Sequence, residues 1–130
     1  MVSAMHRIKT FEELNNPNIV KVIVNGMKEA IYFSRATIPF RRAGNNTGID
    51  NQVFLDEDTK YYRHIGIYGY ERLFLNKFVK LEPSFLEKTE KLEQLRALEN
   101  GYKINMIETE YESVGIDTMD DYKKALDKIL

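Results

Sequence analysis

The sequence predicts a mixed α/β domain, and three observations carry that expectation. A β-branched run, Ile19-Val20-Lys21-Val22-Ile23-Val24, is followed at once by Asn25-Gly26, a strong turn signal. Ser84 stands three residues before Glu87 in a segment that reaches Gly101, the spacing of a capped helix. Strand-like and helix-like runs then alternate instead of collecting into blocks. With 130 residues, 43% hydrophobic and 30% charged, the chain has room and material for one ordinary globular domain.

Each element follows from its own pattern. After Asn25-Gly26, Ala30-Ile31-Tyr32-Phe33-Ser34 resumes a strand, so the two runs form a hairpin or neighbouring strands. Residues 41–60 collect Gly44, Asn45, Asn46, Gly48, Asp50 and Asn51 with few apolar anchors, which predicts a long polar surface loop. Ile65-Gly66-Ile67-Tyr68-Gly69-Tyr70 reads as a strand whose glycines allow close backbone approach. Residues 71–80 carry Leu73, Phe74, Leu75, Phe78 and Val79, a short helix. From Ser84 to Glu99 one helix is expected, burying Phe85, Thr89, Leu92, Leu95 and Leu98 on one face. Residues 104–109 form a further strand. Thr118 and Asp121 then open a terminal helix with Tyr122, Ala125, Leu126 and Ile129 on one side. There is no internal repeat and no low-complexity tract.

Composition excludes several classes of function. Nineteen basic against 20 acidic residues leave a formal charge of -1, no field to attract nucleic acid or anionic lipid. Without cysteine there are no disulfides, thiolate nucleophiles or Cys-based zinc sites. Two histidines cannot build a His-rich metal site. The N-terminus carries His6, Arg7 and Lys9 and lacks a signal-peptide apolar run, and no run of about 18 apolar residues occurs to span a membrane. A cytoplasmic protein is expected.

Polar groups that interrupt apolar elements are the candidates for chemistry. Arg35 follows its strand directly and Arg42 lies seven residues later, beyond Pro39. A guanidinium fork at a strand end suits a carboxylate, and the alternative is a solvated surface arginine. Period-two alternation places His64, Gly66, Tyr68 and Tyr70 on one strand face, with Gly66 opening space between polar tips. Those tips line a site for sugar hydroxyls or serve the core or an interface. Glu90 and Glu93 share a helix face, with Gln94 beside them, which is also the pattern of an ordinary wet face. Asp117, before Thr118, is a capping group or one ligand of Mg²⁺, which would need phosphate oxygens and water to complete its octahedron.

Four segments in order resemble the CMP-Kdo synthetases (3-deoxy-manno-octulosonate cytidylyltransferases): Tyr32-Phe33-Ser34-Arg35-Ala36-Thr37-Ile38-Pro39, His64-Ile65-Gly66-Ile67-Tyr68-Gly69-Tyr70, Leu92-Glu93-Gln94-Leu95-Arg96 and Gly115-Ile116-Asp117-Thr118. Asn16-Pro17-Asn18-Ile19-Val20-Lys21-Val22 and Leu98-Glu99-Asn100-Gly101-Tyr102-Lys103-Ile104 are similar to that family too, so the likeness runs from Asn16 to the C-terminus.

The resemblance implies the C-terminal portion of a nucleotide-diphospho-sugar-transferase-like mixed sheet with flanking helices. It implies the reaction of CTP with the acid sugar Kdo to give CMP-Kdo and pyrophosphate, for lipopolysaccharide biosynthesis. By position Arg35 and Arg42 would contact the sugar, with its carboxylate as target. His64, Tyr68, Glu93 and Gln94 would bind its hydroxyls, and Asp117 would ligand Mg²⁺. The family is dimeric, so a homodimer is expected. The family's glycine turn that cradles the triphosphate has no counterpart before Met1. The Gln-Gly-Asp-Glu-Pro type motif with the partner metal ligand is also missing. The expectation is therefore a sugar-binding and dimerisation half, inactive alone, that would meet CTP only with an N-terminal half supplied. The alternatives are a non-catalytic acidic-sugar-binding or dimerisation module and a cytidylyltransferase for a different acidic sugar.

Overall fold

The computed structural model of the chain describes residues 1–41 and 59–111, together with Met119, Tyr122, Lys123 and Leu126. Arg42, Asp117 and most of the predicted loop and terminal helix lie outside the described residues. The elements in order are β1 (Val2–Arg7), α1 (Phe11–Asn15), β2 (Lys21–Val24), β3 (Ala30–Ser34), β4 (Tyr62–Gly69), α2 (Arg72–Phe78), α3 (Phe85–Glu90), α4 (Leu95–Glu99) and β5 (Asn105–Glu108). The strands form one sheet in the order β3-β2-β4-β1-β5. Strand β4 runs antiparallel to β1 and β2, and β5 is parallel to β1. The predicted mixed α/β class is the observed one.

The hairpin is present. Strands β2 and β3 pair antiparallel, and Asn25 Oδ1 shapes their turn by accepting the N–H groups of Met27 and Glu29, both at 2.9 Å. Beyond Arg63, β4 leaves β2: the ladder joins only Lys21 to Arg63 and Val22 to Tyr62, with one further bond from the His64 N–H to the Val20 carbonyl at 2.8 Å. From Ile65 onward β1 is its one strand partner among the described residues. At that contact Gly69 leaves the room that Val2 fills: a Cβ there would lie 2.7 Å from Val2 Cγ1, so one of the two would have to shift. Gly66 faces open space instead.

The sequence reading gives no element before Ile19, yet β1 is an interior strand and Thr10 caps α1 by accepting the Glu13 N–H at 3.2 Å. Strand β1 escapes a hydrophobic pattern because two of its buried positions hold Ser3 and His6. The single helix expected from Ser84 to Glu99 is two. Lys91 takes a left-handed conformation (φ 57°), which ends α3 and resets the helical phase before α4. Phe85 and Thr89 therefore leave the predicted buried face, Phe85 being 75% exposed, while Leu92 and Leu95 stay inside.

The predicted termini hold. The Glu87 carboxylate accepts the Ser84 N–H at 3.1 Å. Gly101 (φ 77°) closes α4, with its N–H on the Leu98 carbonyl and that of Tyr102 on the Ala97 carbonyl. Helices α2 and α4 and the Leu92 segment supply Phe78, Leu95, Ala97 and Leu92 to one core, with Met5, Val22, Phe33, Tyr62, Ile104 and Met106. Met119, Tyr122 and Leu126 are helical and exposed. No helix among the described residues is long and apolar enough to cross a membrane.

Candidate functional site

A line of aromatic rings crosses the sheet from β3 to α2. The Phe33 ring meets His64 edge-on with centroids 4.9 Å apart, His64 lies 5.4 Å from Tyr68, and Tyr68 lies 6.1 Å from Tyr70. Tyr70 then packs on Phe74 and Phe78. His64, Tyr68 and Tyr70 thus share a face, as the alternation predicts.

Burial sets the chemistry of the first two. It pushes His64 down to about 4, so the imidazole is neutral near pH 7. Ser3 decides its tautomer. Ser3 Oγ stands 2.8 Å from the Ile67 carbonyl and 3.2 Å from the Ile65 carbonyl, both of which only accept, so its one hydrogen goes to a carbonyl and Oγ takes the Nε2–H of His64 at 2.8 Å. Nδ1 is then left as an acceptor for a hydroxyl hydrogen. Burial also raises the Tyr68 phenol well above its usual range, with Tyr70 and the Glu93 charge adding to it. Tyr68 therefore stays protonated and can donate.

The break at Lys91 places Glu93 and Gln94 in the short connection between α3 and α4. The Glu93 side chain is exposed at 69% and lies 3.5 Å from Arg96 Nη2. Gln94 is only 4% exposed, and its Nε2 has no hydrogen-bond partner among the described residues. A buried amide donor without an acceptor is costly, and a bound oxygen would satisfy it.

Arg35 is anchored to backbone. Its Nε–H donates to the Glu90 carbonyl at 2.9 Å and its Nη1 to the Pro17 carbonyl at 3.1 Å. The structure therefore joins His64 to Tyr68 by ring contact and Tyr68 to Glu93 by charge, whereas Arg35 connects to the Glu93-Gln94 segment through Glu90. Arg42 and Asp117 lie outside the described residues. No group of three His, Asp or Glu side chains able to hold a metal occurs among the described residues. Sequence reasoning misses Ser3, whose neighbour in the site is 61 residues away. Glu90 carries one legible signal, its place three residues before Glu93.

A cytidylyltransferase family model matches residues 1–104. The 3-deoxy-manno-octulosonate cytidylyltransferase of Geotalea uraniireducens is 44% identical over 124 residues, covering 95% of this chain and 49% of the relative. The enzyme of the same name from Fusobacterium nucleatum is 40% identical over 129 residues, covering 99% and 48%. A structure of CMP:2-keto-3-deoxy-manno-octonic acid synthetase complexed with CTP superposes with a TM-score of 0.80 at 33% identity, covering 99% of this chain and 49% of that one. The chain thus spans about half the length of the relatives it matches. On the family match and the shared fold, the chain belongs to the cytidylyltransferase family.

Proposed function

We propose that this chain is the acid-sugar-binding, C-terminal half of a CMP-Kdo synthetase. In that role it holds Kdo while the other half of the enzyme holds CTP. The shares of length matched give the extent of the likeness, and the choice of half rests on the ordered motifs from Asn16 to Thr118. The observation that carries the sugar reading is the unpartnered, buried Gln94 amide in the segment that also bears Glu93, whose charge reaches Tyr68 beside His64. His64 Nδ1 accepts one sugar hydroxyl, and Tyr68, Glu93 and Gln94 pair with others. The outer guanidinium edge of Arg35 takes the sugar carboxylate, with Arg42 as a second contact.

The reaction proposed is attack of the Kdo anomeric hydroxyl on the CTP α-phosphate with release of pyrophosphate. Such transfer depends on alignment and charge neutralisation more than on a covalent protein group, so fixing the sugar is this half's contribution. Asp117 is proposed as one residue that would hold Mg²⁺, together with a carboxylate supplied by the other half, and the ion would there neutralise phosphate charge. Among the described residues, the β4 edge beyond His64, and Ile67 and Ile107 at 65% and 60% exposure, offer surface for that other half. A cytoplasmic homodimer in lipopolysaccharide biosynthesis belongs to the same proposal.

Heteronuclear NMR titration of the chain tests the reading. Kdo should move signals of Arg35, His64, Tyr68 and Gln94, while CTP with Mg²⁺ should move none until the N-terminal half is added. A dispersed spectrum that Kdo leaves untouched would overturn the sugar assignment, leaving common ancestry and an interaction module.

A further inference from the structure

We propose that Glu90 is a positioning residue that holds two sides of the sugar site, Arg35 after β3 and the Glu93-Gln94 segment after α3, in one fixed relation. Glu90 is the last residue of α3. Its carboxylate accepts three hydrogen bonds from the end of β3: from Ser34 Oγ at 2.6 Å, from the Arg35 main-chain N–H at 3.0 Å and from Tyr32 Oη at 3.3 Å. Its backbone carbonyl accepts the Arg35 Nε–H. Glu90 is therefore bonded through both carboxylate oxygens and its main chain, to both the backbone and the guanidinium of Arg35.

The consequence for Arg35 is a selected orientation. With Nε on Glu90 and one Nη1 hydrogen on Pro17, the Nη2 donors and the second Nη1 hydrogen have no partner among the described residues and can face an anion. The consequence for α3 is a fixed end. Lys91 turns left-handed immediately after Glu90, and Glu93 and Gln94 follow, so a shift of Glu90 displaces both walls together. The surrounding charge agrees. Lys21 is fully buried with Nζ on the carbonyls of Asn16 and Ile19, and its charge interacts with Glu90. Burial acts to raise the Glu90 carboxyl, but the bonds from Arg35, Ser34 and Tyr32 hold it below its usual range. Glu90 thus lies between the charges of Lys21 and Arg35.

This inference rests on the acid-sugar reading, and its test separates the two. Glu90→Gln is compared with the unmodified 130-residue chain for binding of Kdo and of Kdo methyl ester by titration calorimetry. Solvent exchange of the Arg35 Nε–H is followed in parallel by NMR. The expected result is about tenfold weaker binding of Kdo, a clearly smaller loss for the ester, which depends on the Glu93-Gln94 wall alone, and faster Nε–H exchange. Equal losses for acid and ester, or no loss, would reduce Glu90 to a structural role and overturn the proposal. Should the unmodified chain fail to bind Kdo, the acid-sugar reading falls, and Nε–H exchange alone decides whether Glu90 orders Arg35. If Glu90→Gln does not fold, Glu90→Asp, which keeps the charge but shortens the reach, is held to the same readings.

Discussion

Ser3 Oγ lies 2.8 Å from His64 Nε2, joining the first strand of the chain to the ring that faces Tyr68. Ser3 is 3% exposed and also donates to the Ile67 carbonyl, at the irregularity where the β1–β4 register shifts. A small hydroxyl at a strand irregularity thus sets which nitrogen of His64 stays available.

The depressed His64 gives stability a specific pH dependence. The unfolded chain takes up this proton near pH 6.5 and the folded chain only near 4. Between those values the unfolded state binds more protons, so stability is full above about pH 6.5 and falls as pH drops. The loss should approach about 3 kcal/mol by pH 4. Urea unfolding at a series of pH values checks this, and His64→Asn should flatten the slope between pH 4.5 and 6.5, above the usual carboxylate range. A slope that survives the substitution would place its origin elsewhere.

Gly69 and Val2 should behave as a coupled pair. Gly69→Ala places a Cβ 2.7 Å from Val2 Cγ1 and should cost about 1–2 kcal/mol. Gly66→Ala meets nothing within 4 Å and should stay within about 0.5 kcal/mol of the parent. In thermal melts, Val2→Ala should recover much of the Gly69→Ala loss. Simple additivity of the two changes would argue against the clash.

Lys21 is structural despite its charge. It is 0% exposed, and Nζ donates to the Asn16 and Ile19 carbonyls at 2.9 and 2.6 Å. Lys21→Met keeps the stem but strands both carbonyls, and should lower stability by about 2–3 kcal/mol in chemical denaturation. A change below about 0.5 kcal/mol would show that those bonds count for little.

Gln94 should trade stability against binding. Its Nε2 lacks an acceptor among the described residues, so Gln94→Met should leave the free chain as stable or up to about 1 kcal/mol more so. The same change should weaken Kdo binding by about tenfold, read by calorimetry. Unaltered affinity would remove Gln94 from the site.

Much of this was legible because it is local. The Asn25-Gly26 turn, the Ala30–Ser34 strand, the α2 helix and the Gly101 terminus each declare themselves within a few residues. The shared face of His64, Tyr68 and Tyr70 follows from period-two alternation alone. Strand β1 was not legible, since Ser3 and His6 at buried positions erase the apolar pattern, and their need for partners is met only across the sheet, by His64 and by the Thr109 carbonyl. Nor was the break at Lys91, because a lysine in the left-handed region carries no propensity signal.

By itself the sequence determined the class of fold, the family likeness and the residue types offered to a ligand, since short-range spacing and ordered motifs encode all three. Tertiary structure alone decided how those residues are held. Bonds such as those of Glu90 to Arg35, 55 residues apart, and Ser3 to His64, 61 apart, exist only after the strands and helices have packed. Hydrogen-bond partners and burial at such separations are properties of the assembled core, and no local window contains them.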